Sequence, residues 1–116
     1  MKKSSIFVTW SFLSFHKWES APNEVIFLRD LHRHKFKCKA KVQVKHSDRE
    51  IEFFIFQKMI LDIDIIEIIK ANEYKMSCEQ IAEVYIDKIL NLYPCRSIKV
   101  EVSEDGENGS IVEVES

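Results

Sequence analysis

Glycine and proline are nearly missing from this sequence, with two of each among 116 residues. That scarcity excludes long flexible linkers, and the length predicts a single domain over residues 1–116. Cysteine is scarce too. Cys38, Cys78 and Cys95 are an odd number without Cys-x-x-Cys spacing, which argues against a disulfide framework. A reducing, cytoplasmic setting is expected. No charge of one sign dominates. The formal net charge is −2, so nothing global calls for nucleic acid or an acidic partner. No apolar run approaches the roughly 18 residues that would span a membrane. The nearest case is the N-terminus, where Lys2 and Lys3 precede IFVTWSFLSF in the manner of a secretory leader. Thr9, Ser11 and Ser14 interrupt that run. It continues into His16-Lys17-Trp18-Glu19 without a small-residue cleavage site, so a strand is the expected reading.

What is present is ordinary globular composition, 46% hydrophobic and 31% charged, with clear periodicity. Residues 5–16 are β-branched and aromatic, as in a strand. Residues 19–31 form a connection containing Pro22 and Asn23. Residues 34–45 alternate almost perfectly. Phe36, Cys38, Ala40, Val42 and Val44 take one face, and Lys35, Lys37, Lys39, Lys41, Gln43 and Lys45 the other. His46 to Arg49 should turn, and Glu50 to Phe53 could extend as a short strand. Residues 54–72 have the length and acidic interruptions of a helix, although their isoleucines favour strands. Ser77 and Gln80 have capping-box spacing, and Ile81, Val84, Tyr85, Ile89 and Leu92 recur at helical intervals until Pro94. SIKVEVS (97–103) reads as a strand, EDGENGS (104–110) as a hairpin turn, and 111–115 as the last strand. The predicted order is ββααββ.

Chemistry concentrates in the histidines. His32-Arg33-His34 opens the second strand, and residues two apart in a strand share a face. His16 ends the first strand on the face of Trp10 and Phe12. Antiparallel pairing of the two strands would bring all three imidazoles to one sheet edge. Three neutral imidazoles with an open fourth position make a zinc site of the catalytic type. A lone His-x-His is a weak signal, and surface histidines beside a loop are the competing reading. His46 lies at the opposite end of the strand and is left out.

Phe15-His16, a connection, then His32-Arg33-His34-Lys35-Phe36 and a long alternating strand resemble the zinc-binding front half of the 6-pyruvoyltetrahydropterin and 6-carboxytetrahydropterin synthase family. Glu52-Phe53 is similar to the Asp-Phe opening that family's first helix, and Ser77-Cys78-Glu79-Gln80 to its Thr-x-Glu-Asn helix start. Val100 to Glu104 resembles the late strand whose final glutamate anchors the heterocycle, a role the ungapped match gives to Glu104 rather than Glu101 or Glu107. The resemblance spans nearly the whole chain. It implies an α+β tunnelling fold: a four-stranded antiparallel sheet with two helices on one face, oligomerising edge to edge into a β-barrel. A homo-hexamer of two stacked trimers is implied, with Lys35, Lys37, Lys39 and Lys41 lining the tunnel. Without the barrel, a lysine row is an ordinary solvated face.

The resemblance also implies zinc on His16, His32 and His34. It implies a zinc-dependent lyase or synthase acting on a pterin or deazapurine-precursor substrate. The alternative is a non-catalytic protein that senses or sequesters a pterin- or purine-like heterocycle or nucleotide. No nucleic-acid or membrane partner is expected. Two departures bear on that choice. The family's catalytic cysteine precedes its His-x-His, and residues 25–31 contain none. Its Asp-His pair lies between the helices, where no histidine follows His46 and the acidic residues Asp62, Asp64 and Glu67 suit a solvated helix face. No catalytic residue is therefore assigned. Asp30 and Glu24 are the remaining candidate bases near the metal edge.

Overall fold

A computed structural model describes residues 2–115 as an α+β domain. Strand β1 (Ser4–His16) leads through a 3-10 segment (Asn23–Arg29) to β2 (His32–Val44). Helices α1 (Phe53–Leu61), α2 (Ile65–Ala71) and α3 (Cys78–Leu92) follow, then β3 (Ile98–Glu104) and β4 (Asn108–Val114). The four strands form one antiparallel sheet in the order β1-β2-β3-β4.

The alternation read in the sequence decides which face the helices cover. Val8, Trp10, Phe36, Cys38, Ala40, Val42, Ile98, Val100 and Val102 are buried on the inner face. Against them pack Ile81, Ala82, Tyr85, Ile86 and Ile89 of α3, with Phe56 and Ile60 of α1 and Ile65 and Ile69 of α2 completing the core. Trp10 meets Tyr85 edge-on with ring centroids 4.8 Å apart, and Phe12 stacks on Phe36 at 5.2 Å. On the outer face Lys35, Lys37 and Lys41 are exposed, and the Lys39 ammonium sits 4.5 Å from the Phe7 ring centre.

The helical region departs from the sequence reading in two places. Residues 50–53 do not extend as a strand. Glu52 is the N-cap of α1, its carboxylate accepting the Ile55 N–H at 2.8 Å, and Phe53 is already helical. Nor is 54–72 a single helix. The Asp62 N–H closes α1 onto the Lys58 carbonyl, and Asp64 starts α2 by accepting the Glu67 N–H. Aspartate offers the backbone a local hydrogen bond that competes with helix continuation, so the acidic interruptions act as stop and start signals. Among the described residues there are thus three α-helices where two were expected. The capping box at α3 forms as predicted, with reciprocal Ser77–Gln80 bonds of 2.9 and 3.1 Å.

The hairpin turn uses Asp105 (φ 59°) and Gly106 (φ 76°), both left-handed. Gly109, of the predicted Asn-Gly signal, lies inside β4. A Cβ there would meet the Val102 carbonyl oxygen at 2.2 Å, so the close approach of β4 to β3 requires glycine.

At the sheet end remote from the histidines, buried Arg96 donates to both oxygens of Glu50 at 3.0 Å and to the Gln43 carbonyl at 3.1 Å. Glu50 also accepts the Lys45 N–H. The Arg96 bonds first, then the Lys45 bond, hold the Glu50 carboxyl at about 2, below its ordinary 4.5. A depressed carboxylate stabilises the fold fully above its unfolded pKa and loses that contribution as pH falls through the folded one. Denaturation midpoints should therefore fall for the wild type between pH 4.5 and 2 by more than for Glu50→Gln. Parallel pH profiles would show that this pair does not tie the loops together.

Candidate metal centre

The β1–β2 register sets His16 directly opposite His32, and Ser14 opposite His34. On the other side of β2, Phe36 faces Glu104, the last residue of β3. Directly opposed residues share a face, so His16, His32, His34 and Glu104 all point to the helix side at one end of the sheet. The imidazole centroids lie 5.3 Å (His16–His32), 4.7 Å (His32–His34) and 6.5 Å (His16–His34) apart.

Donor atoms converge closely. His16, His32 and Glu104 each offer one atom within 4.8 Å of the others. His34 stands at the rim of this set, its Nε2 only 2.6 Å from Glu104 Oε2. That nitrogen is buried yet has no aligned hydrogen-bond partner, so the close approach to the carboxylate is not an N–H···O bond. His16 Nδ1 and His32 Nε2 are 3.4 Å apart, long for a hydrogen bond. It is close to the edge, about 3.3 Å, of a tetrahedron whose ligands lie about 2.0–2.1 Å from a zinc ion.

Neighbouring groups set the proton positions. His32 Nδ1 lies 2.7 Å from the Asp30 carbonyl oxygen. A carbonyl only accepts, so Nδ1 carries the proton and a neutral His32 presents a bare Nε2. His34 Nδ1 lies 2.8 Å from the Asp105 carboxylate. Burial lowers the pKa of His16 from 6.5; His32 and His34 add to the effect and Glu104 opposes it. Metal-binding imidazoles must be neutral, so this shift suits a ligand. A His16 ring nitrogen, the bare His32 Nε2 and the Glu104 carboxylate could together hold a divalent cation, with His34 beside Glu104 at the rim.

The centre opens onto a cavity of about 530 Å³ lined by His16, Trp18, Phe36, Lys75, Cys78 and Glu104, among others. The Lys17 N–H donates to the Tyr74 carbonyl at 2.9 Å, drawing the segment before α3 toward the end of β1. Sequence reasoning missed Cys78, Lys75 and Trp18 as neighbours of the histidines. The start of α3 was legible from Ser77 and Gln80, but not its position in space. Among the other candidates, Asp30 contributes its carbonyl to His32, while Glu24 is exposed on the 3-10 segment and does not line the cavity. Asp62 and Asp64 cap helix ends on α1 and α2, Glu67 is exposed on α2, and His46 follows the far end of β2.

Neither a protein-family model nor a curated protein sequence matches the chain.

The cysteines differ sharply in environment. Burial pushes Cys38 to about 12, and burial with Glu104 and Glu79 pushes Cys78 to about 12. Cys95 is exposed. A thiol attacks as its thiolate. An alkylating reagent at pH 8 should therefore add once per native chain, at Cys95, and three times in denaturant, as read by intact mass. Rapid native labelling of Cys78 would contradict the burial described here.

Proposed function

We propose that this chain is a zinc-binding protein of the tunnelling-fold type, with lyase or synthase activity on a pterin or deazapurine-precursor substrate. The observation that carries this reading is the convergence of three imidazoles and one carboxylate beside an open cavity. His16, His32 and His34 would hold the metal, leaving a position for substrate. Bound zinc would polarise a carbonyl or lower the pKa of a coordinated water. Glu104 would grip the amidine edge of the ring through two parallel N–H bonds. Phe36 and Trp18 offer the apolar walls that a flat heterocycle needs. Cys78, the cysteine lining the cavity, would stay protonated and act as a proton donor rather than a base.

The same thiol favours a second reading. With its pKa raised to about 12 by burial, Glu104 and Glu79, Cys78 is poorly suited to shuttle protons near neutral pH. The protein would then bind the heterocycle without turning it over. Incubation with a dihydropterin triphosphate separates the two, because only the enzyme eliminates the triphosphate.

Two measurements test the site itself. About one zinc per chain should survive purification without chelator, and the His32→Ala, His34→Ala double variant should lose it. Calorimetry with a pterin ligand should show Glu104→Gln binding more weakly by about 1.5–3 kcal/mol, the range for hydrogen bonds to charged groups, at unchanged zinc content. Zinc loss in Glu104→Gln would make this residue a metal ligand instead. Equal ligand affinity at equal zinc would remove the ring-anchor role.

Association into a barrel is part of the same proposal. Strands β1 and β4 end the sheet with unpaired edges, which native proteins pair or cover. The chain exposes 7697 Å² at 13.7 kDa, where a monomeric protein of that mass exposes about 6,600 Å². Edge-to-edge closure would place Lys35, Lys37, Lys39 and Lys41 inside the barrel. Light scattering should give a closed homo-oligomer, a hexamer by the resemblance. A monomer at micromolar concentration would refute it.

A further inference from the structure

We infer that Asp105 is a positioning residue that holds His34 in the Nδ1–H form and so presents its Nε2 as an unprotonated metal donor; the inference rests on the zinc reading above. Asp105 is the first residue of the β3–β4 turn and clamps the start of β2 from three directions. Its Oδ1 accepts the Lys35 N–H at 2.9 Å, and its own N–H donates to the Lys35 carbonyl at 2.7 Å. Its Oδ2 meets His34 Nδ1 at 2.8 Å. An exposed aspartate is ionised at neutral pH, and a carboxylate can only accept. The proton must therefore sit on His34 Nδ1. On the far side of the ring, Nε2 is buried and faces Glu104 without hydrogen-bond alignment.

His32 gets its tautomer from a backbone carbonyl, which no side-chain substitution can change. His34 gets its own from a side chain on another strand connection, 71 residues later. Of the two ligands in His-x-His, only His34 can therefore be switched by a point substitution outside the histidines. Asparagine makes the switch at little cost to the fold. It tolerates the left-handed backbone of residue 105, where φ is 59°. Its oxygen can keep the Lys35 N–H bond while its NH₂ group faces His34. Nδ1 must then accept, the proton moves to Nε2, and the donor aimed at the metal is lost.

The experiment uses metal-free and zinc-loaded full chain, wild type and Asp105→Asn. Ring ¹⁵N shifts of His34 are read in the metal-free form at about pH 9, well above the ordinary imidazole pKa. Wild type should show the Nδ1–H form and Asp105→Asn the Nε2–H form, with His32 as Nδ1–H in both. Zinc affinity, by competition with a chelating dye, should fall 10- to 100-fold in Asp105→Asn, as for loss of other outer-shell partners of metal-bound histidine. An Nε2–H form in the wild type overturns the inference without any variant, so a variant that fails to fold cannot shield it. Switched tautomers with zinc affinity unchanged would overturn it as well. If the tautomers switch as expected but wild type binds no zinc, the Asp105 assignment stands and the zinc reading fails.

Discussion

The antiparallel pairing of β1 with β2 is the constraint on which everything else rests. Thirteen residues of each strand are matched, from Ser4 with Val44 to His16 with His32. Side chains alternate with period two, so a slip of one residue would turn every residue of a strand to the opposite face. Lys35, Lys37, Lys39 and Lys41 would enter the core, and Phe36, Cys38, Ala40 and Val42 would meet water. The same slip would dissolve the histidine cluster. The hydrophobic pattern that makes the sheet fold therefore also aligns the three imidazoles.

A second layer of control comes from the turns. The Asp30 carbonyl before β2 and the Asp105 carboxylate after β3 each reach an Nδ1 of the His-x-His pair. Asp105 lies in the tight β3–β4 turn, and Asp30 at the end of the longer β1–β2 connection, just before β2 begins. The cavity beside the histidines is completed by the start of α3, which the Lys17–Tyr74 backbone bond draws against the end of β1. Strand, turn and helix each contribute one wall. Glu104 stands where they meet, close enough to His16, His32 and His34 to serve either a cation or a ligand in the cavity.

Much of this was legible in the sequence, for identifiable reasons. Period-two alternation over residues 34–45 located β2 and its buried face. His16, His32 and His34 could be placed together because strand geometry is regular enough to carry a register argument. Ser77 and Gln80 gave the start of α3, since a capping box is a local interaction. The misreadings were also local. Glu52 is a helix cap rather than a strand residue, and Asp62 to Asp64 break what reads as one helix, because isoleucine-rich runs suit either structure and short acidic caps decide between them. Cys78 and Asp105 stayed hidden as neighbours of the histidines for a different cause. Their positions depend on how separate elements dock, and no periodicity in a single segment encodes that.

The pairing of Asn108 with Glu104 has a chemical consequence as the protein ages. An Asn-Gly step loses its amide when the glycine nitrogen swings onto the asparagine side-chain carbonyl and closes a five-membered ring. Asn108 and Gly109 are held extended in β4, with Gly109 packed tightly against Val102 and Ser103, so that swing is blocked while the hairpin is intact. Deamidation here would thus record past unfolding of the hairpin. Because Asn108 also lines the cavity, each event would leave a second carboxylate facing Glu104.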